Sequence, residues 1–167
     1  MKLFKLFLMP LAVVLFAGCS GYRVGSTLPE DVQTVSLHVV NNTDEPSIEV
    51  AVMRALRAEI QMDGRLQIRS ENEADTVLTV TLNRFHLTPL AFDRRRGSLA
   101  REYRMVLSAS SVLSRQADGE VIVESPELLG ESEFDYSADL TSAKFAALPS
   151  AADDLARKAV SLITTAW

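Results

Sequence analysis

The stretch ADTVLTVTLNRFHL, Ala74 to Leu87, sets Leu78, Val80 and Leu82 against Thr79, Thr81 and Asn83. Alternation of apolar and polar residues is the period of a strand with one buried face. It returns in YRMVLSASSVL, Tyr103 to Leu113, where Tyr103, Met105, Leu107, Ala109, Ser111 and Leu113 share one side. Val106 and Val112 give the opposite side some apolar character of its own. Pro89 to Ala100 interrupts the pattern between the two strands, and a turn at Ala117-Asp118-Gly119 leads into a third at Glu120 to Glu124. The centre of the chain therefore reads as an antiparallel meander.

Upstream, Val32 to Val40 alternates Val35, Leu37 and Val39 with Thr34, Ser36 and His38, a further half-buried strand that Asn41-Asn42-Thr43-Asp44 ends. Asp44 or Ser47 is placed to cap a helix whose first turn tolerates Pro46. Along that helix Ile48, Val52, Ala55, Leu56 and Ile60 recur at three-and-four spacing, and Asp63-Gly64 stops it. Arg65 to Arg69 is a short strand candidate. Glu127 to Pro149, acidic and then mixed, shows no clear period. A closing helix is expected from Ala151 to about Thr165, capped by Ser150 with Asp153 in the reciprocal position. Its stripe is Ala152, Leu155, Ala156, Ala159, Val160 and Ile163.

Two helices with one apolar face each, at either end of a meander, bury those faces most simply on one side of a shared sheet. The expected fold is α+β, a two-layer sandwich of a mainly antiparallel sheet of about four strands with both helices on one face. The other face is left for a protein partner.

The N-terminus carries a different signal. Lys2 and Lys5 precede an apolar core from Leu6 to Ala17, and Leu15-Phe16-Ala17-Gly18 leads to Cys19, the single cysteine. The apolar run is short of the about 20 residues that cross a bilayer, and Pro10 interrupts it. A basic start, a short apolar core and small residues before one cysteine describe a lipoprotein signal, so residues 1–18 are expected to be removed and Cys19 to be acylated. Acyl chains contribute about 0.8 kcal/mol per buried methylene, so several of them hold a soluble domain at a bilayer durably. Residues 19–30, rich in Gly, Ser and Thr and ending near Leu28-Pro29, read as a tether, and 31–167 as one domain.

Removing Lys2 and Lys5 from 17 basic residues leaves 15 against 22 acidic ones, a formal charge of −7. Such a balance argues against nucleic acid as a partner. With the one cysteine committed to lipid, no disulfide holds the domain and no thiol serves as a nucleophile. His38 and His86 sit in strands, match no metal-ligand spacing and read as polar residues on a sheet face. Gly25, Gly64, Gly97, Gly119 and Gly130 stand singly at breaks, none in a phosphate-cradling loop. Glu124, Glu127, Glu131 and Glu133 read as a solvated acidic edge. No enzyme activity and no cofactor or metal is expected.

One cluster stands out. Arg94-Arg95-Arg96 lies in the connection between two strands of an acidic chain, with Arg101 and Arg104 close behind. Guanidinium groups grip phosphate by a rigid fork, so Arg94, Arg95, Arg96 and Arg101 are candidates for an anionic headgroup or the rim of an acidic partner. A solubilising hairpin tip, with Asp93 and Glu102 balancing part of the charge, is the alternative.

The order of these elements resembles the LptE family of LPS-assembly lipoproteins. The likeness runs from Cys19-Ser20-Gly21-Tyr22-Arg23 through Leu28-Pro29, the strand Val35 to Val39 with Asn41-Asn42-Thr43 and Glu45-Pro46, and the helix end Asp63-Gly64-Arg65-Leu66. It continues in Ala74-Asp75 with Leu78, in Glu102-Tyr103-Arg104, and in the C-terminal helix followed by Trp167. The resemblance implies a non-enzymatic outer-membrane lipoprotein, periplasm-facing or within the barrel lumen. Its implied partners are an LptD-like β-barrel, lipopolysaccharide, and the membrane through the N-terminal lipid. It also implies a sheet with two helices on one side and links a basic loop between strands to lipopolysaccharide. A generic envelope lipoprotein that scaffolds another complex and a lipid-anchored hydrolase are the competing classes.

Replacing Cys19 with Ala is expected to abolish lipid attachment and processing after residue 18. Metabolic labelling with a fatty acid checks it, and equal label in both proteins would contradict the assignment.

Overall fold

The computed structural model describes residues 28, 31–93, 99–135 and 139–165. Five strands and two helices follow in the order β1 (Thr34–Asn41), α1 (Ile48–Asp63), β2 (Gln67–Ile68), β3 (Thr76–Asp93), β4 (Leu99–Arg115), β5 (Val121–Asp135) and α2 (Leu140–Thr165). They form one sheet in the order β2-β1-β3-β4-β5. The meander β3-β4-β5 is antiparallel, whereas β1 runs parallel to both β2 and β3, so the sheet is mixed and has five strands. Both helices lie on one of its faces, as the two-layer α+β expectation required.

The apolar stripes explain that arrangement. On α1, Ile48, Val52, Ala55, Leu56 and Ile60 are all buried, and on α2 so are Ala152, Leu155, Ala156, Ala159, Val160 and Ile163. They meet the inward row of the sheet, Val35 on β1, Leu78, Val80 and Leu82 on β3, and Met105, Leu107, Ala109 and Leu113 on β4. Each large apolar side chain so buried contributes about 1.5–3 kcal/mol. Leu28 and Val32 join this core, which fixes the point where the chain enters the domain.

Helix ends follow local chemistry. Gly64 closes α1 at φ +72°, and its N–H donates to the Ile60 carbonyl at 3.0 Å. At the other end Ser47 occupies the cap position with φ +66° and makes no side-chain cap bond. Asn41 ties that turn instead, its Nδ2 donating to the Glu45 carbonyl and to Glu49 Oε2, both at 2.9 Å.

Three readings of the sequence are corrected. The interruption expected over Pro89 to Ala100 shrinks to residues 94–98, since β3 runs through Pro89 to Asp93. Pro89 is tolerated because β1 stops pairing at Leu82, so β3 beyond it has a neighbour on one side only, and a register shift follows directly. The unassigned span from Glu127 holds the rest of β5 and then the start of α2. That helix begins at Leu140, not Ala151, and contains Pro149. Asp139 caps it in place of Ser150, Oδ1 accepting from the Thr141 N–H (3.2 Å) and Oδ2 from the Ser142 N–H (2.8 Å). An interior proline forfeits one helix bond, but Ala147 and Leu148 before it and Ala151 and Ala152 after it are buried, and their packing outweighs that loss.

Gly130 is the third correction, for it sits in the middle of β5 and not at a break. A Cβ at Gly130 would stand 2.4 Å from the Ala151 carbonyl oxygen and 2.6 Å from Leu155 Cβ. Helix α2 can rest on the strand only because that atom is missing. Replacing Gly130 with Ala is therefore expected to push α2 off β5 and cost about 1–3 kcal/mol, the usual penalty of overpacking. A urea midpoint equal to the parent's would refute the close approach.

Candidate partner-binding surface

Side chains that point away from the helices form a second row, which no described helix covers. It holds Ser36, His38 and Val40 on β1, Val77, Thr79, Thr81, Arg84 and His86 on β3, and Ser114, Val112, Ser110, Ser108, Val106 and Arg104 on β4, in register across the strands. Its lower half is a field of Ser, Thr and Val, and its upper half is charged. The small-residue part exposes hydroxyls and β-branched methyls without long flexible side chains, so little entropy is lost when another surface covers it. Val106 and Val112 are half-buried there, in keeping with the mixed character read from the sequence.

The crossover from β2 to β3 limits this face at one end. Chain 69–75 passes over β1 and buries Ser36, whose relative exposure is 3%. Glu71 reaches His38, with 3.4 Å between Oε2 and Nε2. Asp75 then pins the strand starts together. Its Oδ2 accepts from the Gln33 N–H (3.2 Å), the Thr34 N–H (2.9 Å) and Thr34 Oγ1 (2.7 Å), while its own N–H donates to Thr34 Oγ1 (2.8 Å). The Thr34 hydroxyl bond holds the Asp75 carboxyl below its ordinary value, against slight desolvation and with help from the two backbone N–H groups. Arg115 at the end of β4 pairs with Asp31 and thereby fastens the segment that enters β1.

The two edges of the sheet are treated differently. Along β5 the groups beside Gly130 are occupied by α2: the Glu131 N–H donates to Asp154 Oδ2 at 3.1 Å, and Lys158 Nζ donates to the Leu129 carbonyl at 2.6 Å. Asp154 and Lys158 also pair with each other at 2.7 Å. Desolvation opposes ionisation of Asp154, yet its bonds to Lys158 and the Glu131 amide outweigh it and hold the carboxyl below the usual value. This clamp takes up two hydrogen-bonding groups in the middle of the strand's outer edge.

Of the residues singled out in the sequence, Cys19 and Arg94, Arg95 and Arg96 lie outside the described residues. Strand β3 ends at Asp93 and β4 begins at Leu99, so the three arginines fall in the interval between paired strands. Arg101 is exposed on β4. Arg104 is committed elsewhere, its Nη2 2.7 Å from Glu133 Oε1 on β5. His38 and His86 lie on the uncovered face, on β1 and β3. Glu124, Glu131 and Glu133 are strand residues exposed to solvent. Asp154, Lys158 and the close approach at Gly130 were missed, although a lone glycine inside an otherwise strand-like run, Leu128-Leu129-Gly130-Glu131, is the signal for such an approach. An open groove of about 610 Å³ between the helices and β5 is lined by Glu59, Leu128, Arg157, Ser161 and Thr165 among others, with no His or Cys. No described helix is long and apolar enough to cross a membrane.

Comparison with known proteins agrees with this architecture. The family model described as "LptE: Lipopolysaccharide-assembly" matches residues 32–163. Among solved structures, a protein from Xanthomonas campestris superposes with a TM-score of 0.54 at 13% identity, covering 79% of this chain and 84% of that one. A minor lipoprotein from Acinetobacter baumannii gives 0.52 at 15% identity, with 78% and 90% covered. PelC of Paraburkholderia phytofirmans, a dodecamer, gives 0.51 at 14%, with 79% and 88% covered. These three share the fold. No curated protein matches the chain by sequence.

Proposed function

The chain belongs to the LptE lipopolysaccharide-assembly family, and from that premise we propose that it meets its partner through the helix-free face of the sheet. As a member it is a non-enzymatic outer-membrane lipoprotein that supports the LptD β-barrel in lipopolysaccharide assembly. The observation that carries the proposed face is the burial of both helix stripes on one side, which leaves the Ser, Thr and Val field of the other uncovered. A barrel wall presents rigid, alternating side chains, and a face of small residues lets such a wall approach closely.

Cys19 supplies the membrane attachment in this reading. From an acylated Cys19 to Leu28 there are nine residues, a reach of about 30 Å at full extension. The tether therefore holds the end of the sheet that contains Leu28 and the Asp31–Arg115 pair near the membrane surface. Strand β4 has 17 residues and so rises about 55 Å. Its first residue, Leu99, is at the far end, and Arg94, Arg95 and Arg96 come shortly before it in sequence. We assign these three residues and Arg101 to an anionic group carried to that far end, the phosphates of lipopolysaccharide, rather than to headgroups at the tether.

Two measurements test these assignments. Thr81→Glu places a carboxylate on the helix-free face and is expected to keep the parental unfolding free energy in urea to within about 0.5 kcal/mol. It should recover clearly less barrel protein from detergent-solubilised outer membrane, and undiminished recovery would overturn the face. Changing Arg94, Arg95 and Arg96 together to Glu should weaken binding to purified lipopolysaccharide, with Lys replacements intermediate and the parent's affinity falling as salt rises. Three indistinguishable curves would return the cluster to a solubilising hairpin tip.

A further inference from the structure

Among the described residues, the backbone of β1 has an open side. Gln67 N–H donates to the Gln33 carbonyl (2.9 Å) and Arg69 N–H to the Val35 carbonyl (3.0 Å), so odd-numbered residues of β1 turn their backbone groups toward β2. The Asn42 N–H donates to the Leu82 carbonyl (2.9 Å), so even-numbered ones face β3. Pairing with β2 ends at Val35, because β2 has only two residues. Beyond that point the N–H and C=O groups of Leu37 and Val39 point outward from the sheet.

Edges in soluble proteins are normally blunted by charge, proline, a bulge or a covering element. This protein does so around the middle of β5, where Asp154 takes the Glu131 N–H and Lys158 the Leu129 carbonyl. The outward segment of β1, Leu37-His38-Val39-Val40-Asn41, contains no Lys, Arg, Asp, Glu or Pro, and β1 pairs with β3 over it without a register shift. Its length is that of an ordinary strand. Leu37 and Val39 are half-buried against the core, while His38 and Val40 belong to the uncovered face, Val40 with 43% exposure.

We infer that the outer edge of β1 over Leu37–Asn41 is a strand-acceptor site that takes an extended, uncharged segment of the β-barrel partner as a sixth strand. The inference rests on the family reading of the partner and adds a mode of contact to it. Main-chain hydrogen bonds to Leu37 and Val39 provide the attachment, and alternate side chains of the guest extend the core row and the uncovered face in turn. The edge is continuous with that face through His38 and Val40, so one partner engages both. The accepting segment carries no Lys, Arg, Asp or Glu of its own, Glu71 beside His38 being the charge nearest to it, so this contact depends on salt less than the contact assigned to the arginines.

Val39→Pro removes the outward N–H and leaves the β1–β3 ladder untouched, since a proline is tolerated where the N–H faces solvent. Val40→Lys places an ammonium beside the edge as a second, independent obstruction. Parent and variants, each purified with the tether and lipid intact, are compared by urea unfolding, sedimentation and capture of barrel protein from detergent-solubilised outer membrane. Both variants are expected to unfold as the parent does, to sediment as monomers and to recover about tenfold less barrel, the loss expected for one or two hydrogen bonds. Parental recovery by either folded variant would overturn the strand-acceptor site while leaving the family's partner in place. A parent that captures no barrel would overturn the partner reading and this inference with it. A parental dimer that Val40→Lys turns into monomer would assign the edge to a second copy and overturn the barrel segment as its occupant.

Discussion

The approach of α2 to the sheet at Gly130 sets the positions of the other parts. With no Cβ at that residue, the backbone of Ala151 and the side chain of Leu155 sit directly on β5. The helix stripe from Ala147 to Ile163 then reaches the inward row of the sheet, and Asp154 and Lys158 come within hydrogen-bonding distance of Glu131 and Leu129. One missing atom therefore couples core packing to the closing of an edge. Arg65 extends the same layer to α1, donating from Nη1 to the Thr164 carbonyl at 3.0 Å while paired with Asp63.

With the helix layer placed, the remaining surfaces acquire distinct characters. One face of the sheet is core, β5 is tied to α2 at Leu129 and Glu131, β3 beyond Leu82 runs one-sided with Arg84 and Pro89 in it, and a Ser, Thr and Val face is continuous with the open side of β1. A scaffold that sits beside a β-barrel faces a specific hazard, because its own strand edges can pair indiscriminately with those of a barrel that has yet to close. Helix α2 takes two groups of β5, and Arg84 and Pro89 blunt the one-sided stretch of β3 beyond Leu82, so such pairing is favoured along β1. The charged end of the sheet, with Arg104 neutralised by Glu133, lies away from the point where Leu28 enters the core. The tether and the proposed phosphate contact are thereby separated along the strands.

Much of this was legible in the chain. Leu78, Val80 and Leu82, the row from Met105 to Leu113 and both helix stripes could be read because their burial follows a strict period. Local periodicity did not reveal how far the strands extend. Pro89 is a strand breaker by its own chemistry and is accommodated only because β1 ends at Leu82, a fact about a neighbour distant in sequence. Likewise the acidic residues of β5 face solvent on an edge strand, so its outward row carried charge where apolar alternation was sought. Pro149 and Ser150 imitate a helix start, and only the tertiary burial of Ala147 and Leu148 carries the helix through them. The family could be recognised from the order of such elements, whereas the unequal treatment of the two edges depends on contacts between Gly130 and Ala151 that no short motif encodes.

The central claim is that the helix-free side of the sheet is the side the barrel covers. Thr79 lies in the middle of that side, half-buried between Val77 and Thr81 of its own strand, beside His38 on β1 and opposite Val112 on β4. Maleimide labelling of a Thr79→Cys variant, measured free and then in the purified barrel complex, tests the claim directly. The predicted result is ready labelling of the free protein and strong protection in the complex, with a control cysteine at exposed Arg54 on α1 protected less. Labelling of the Thr79 position at the same rate in both states would contradict the claim.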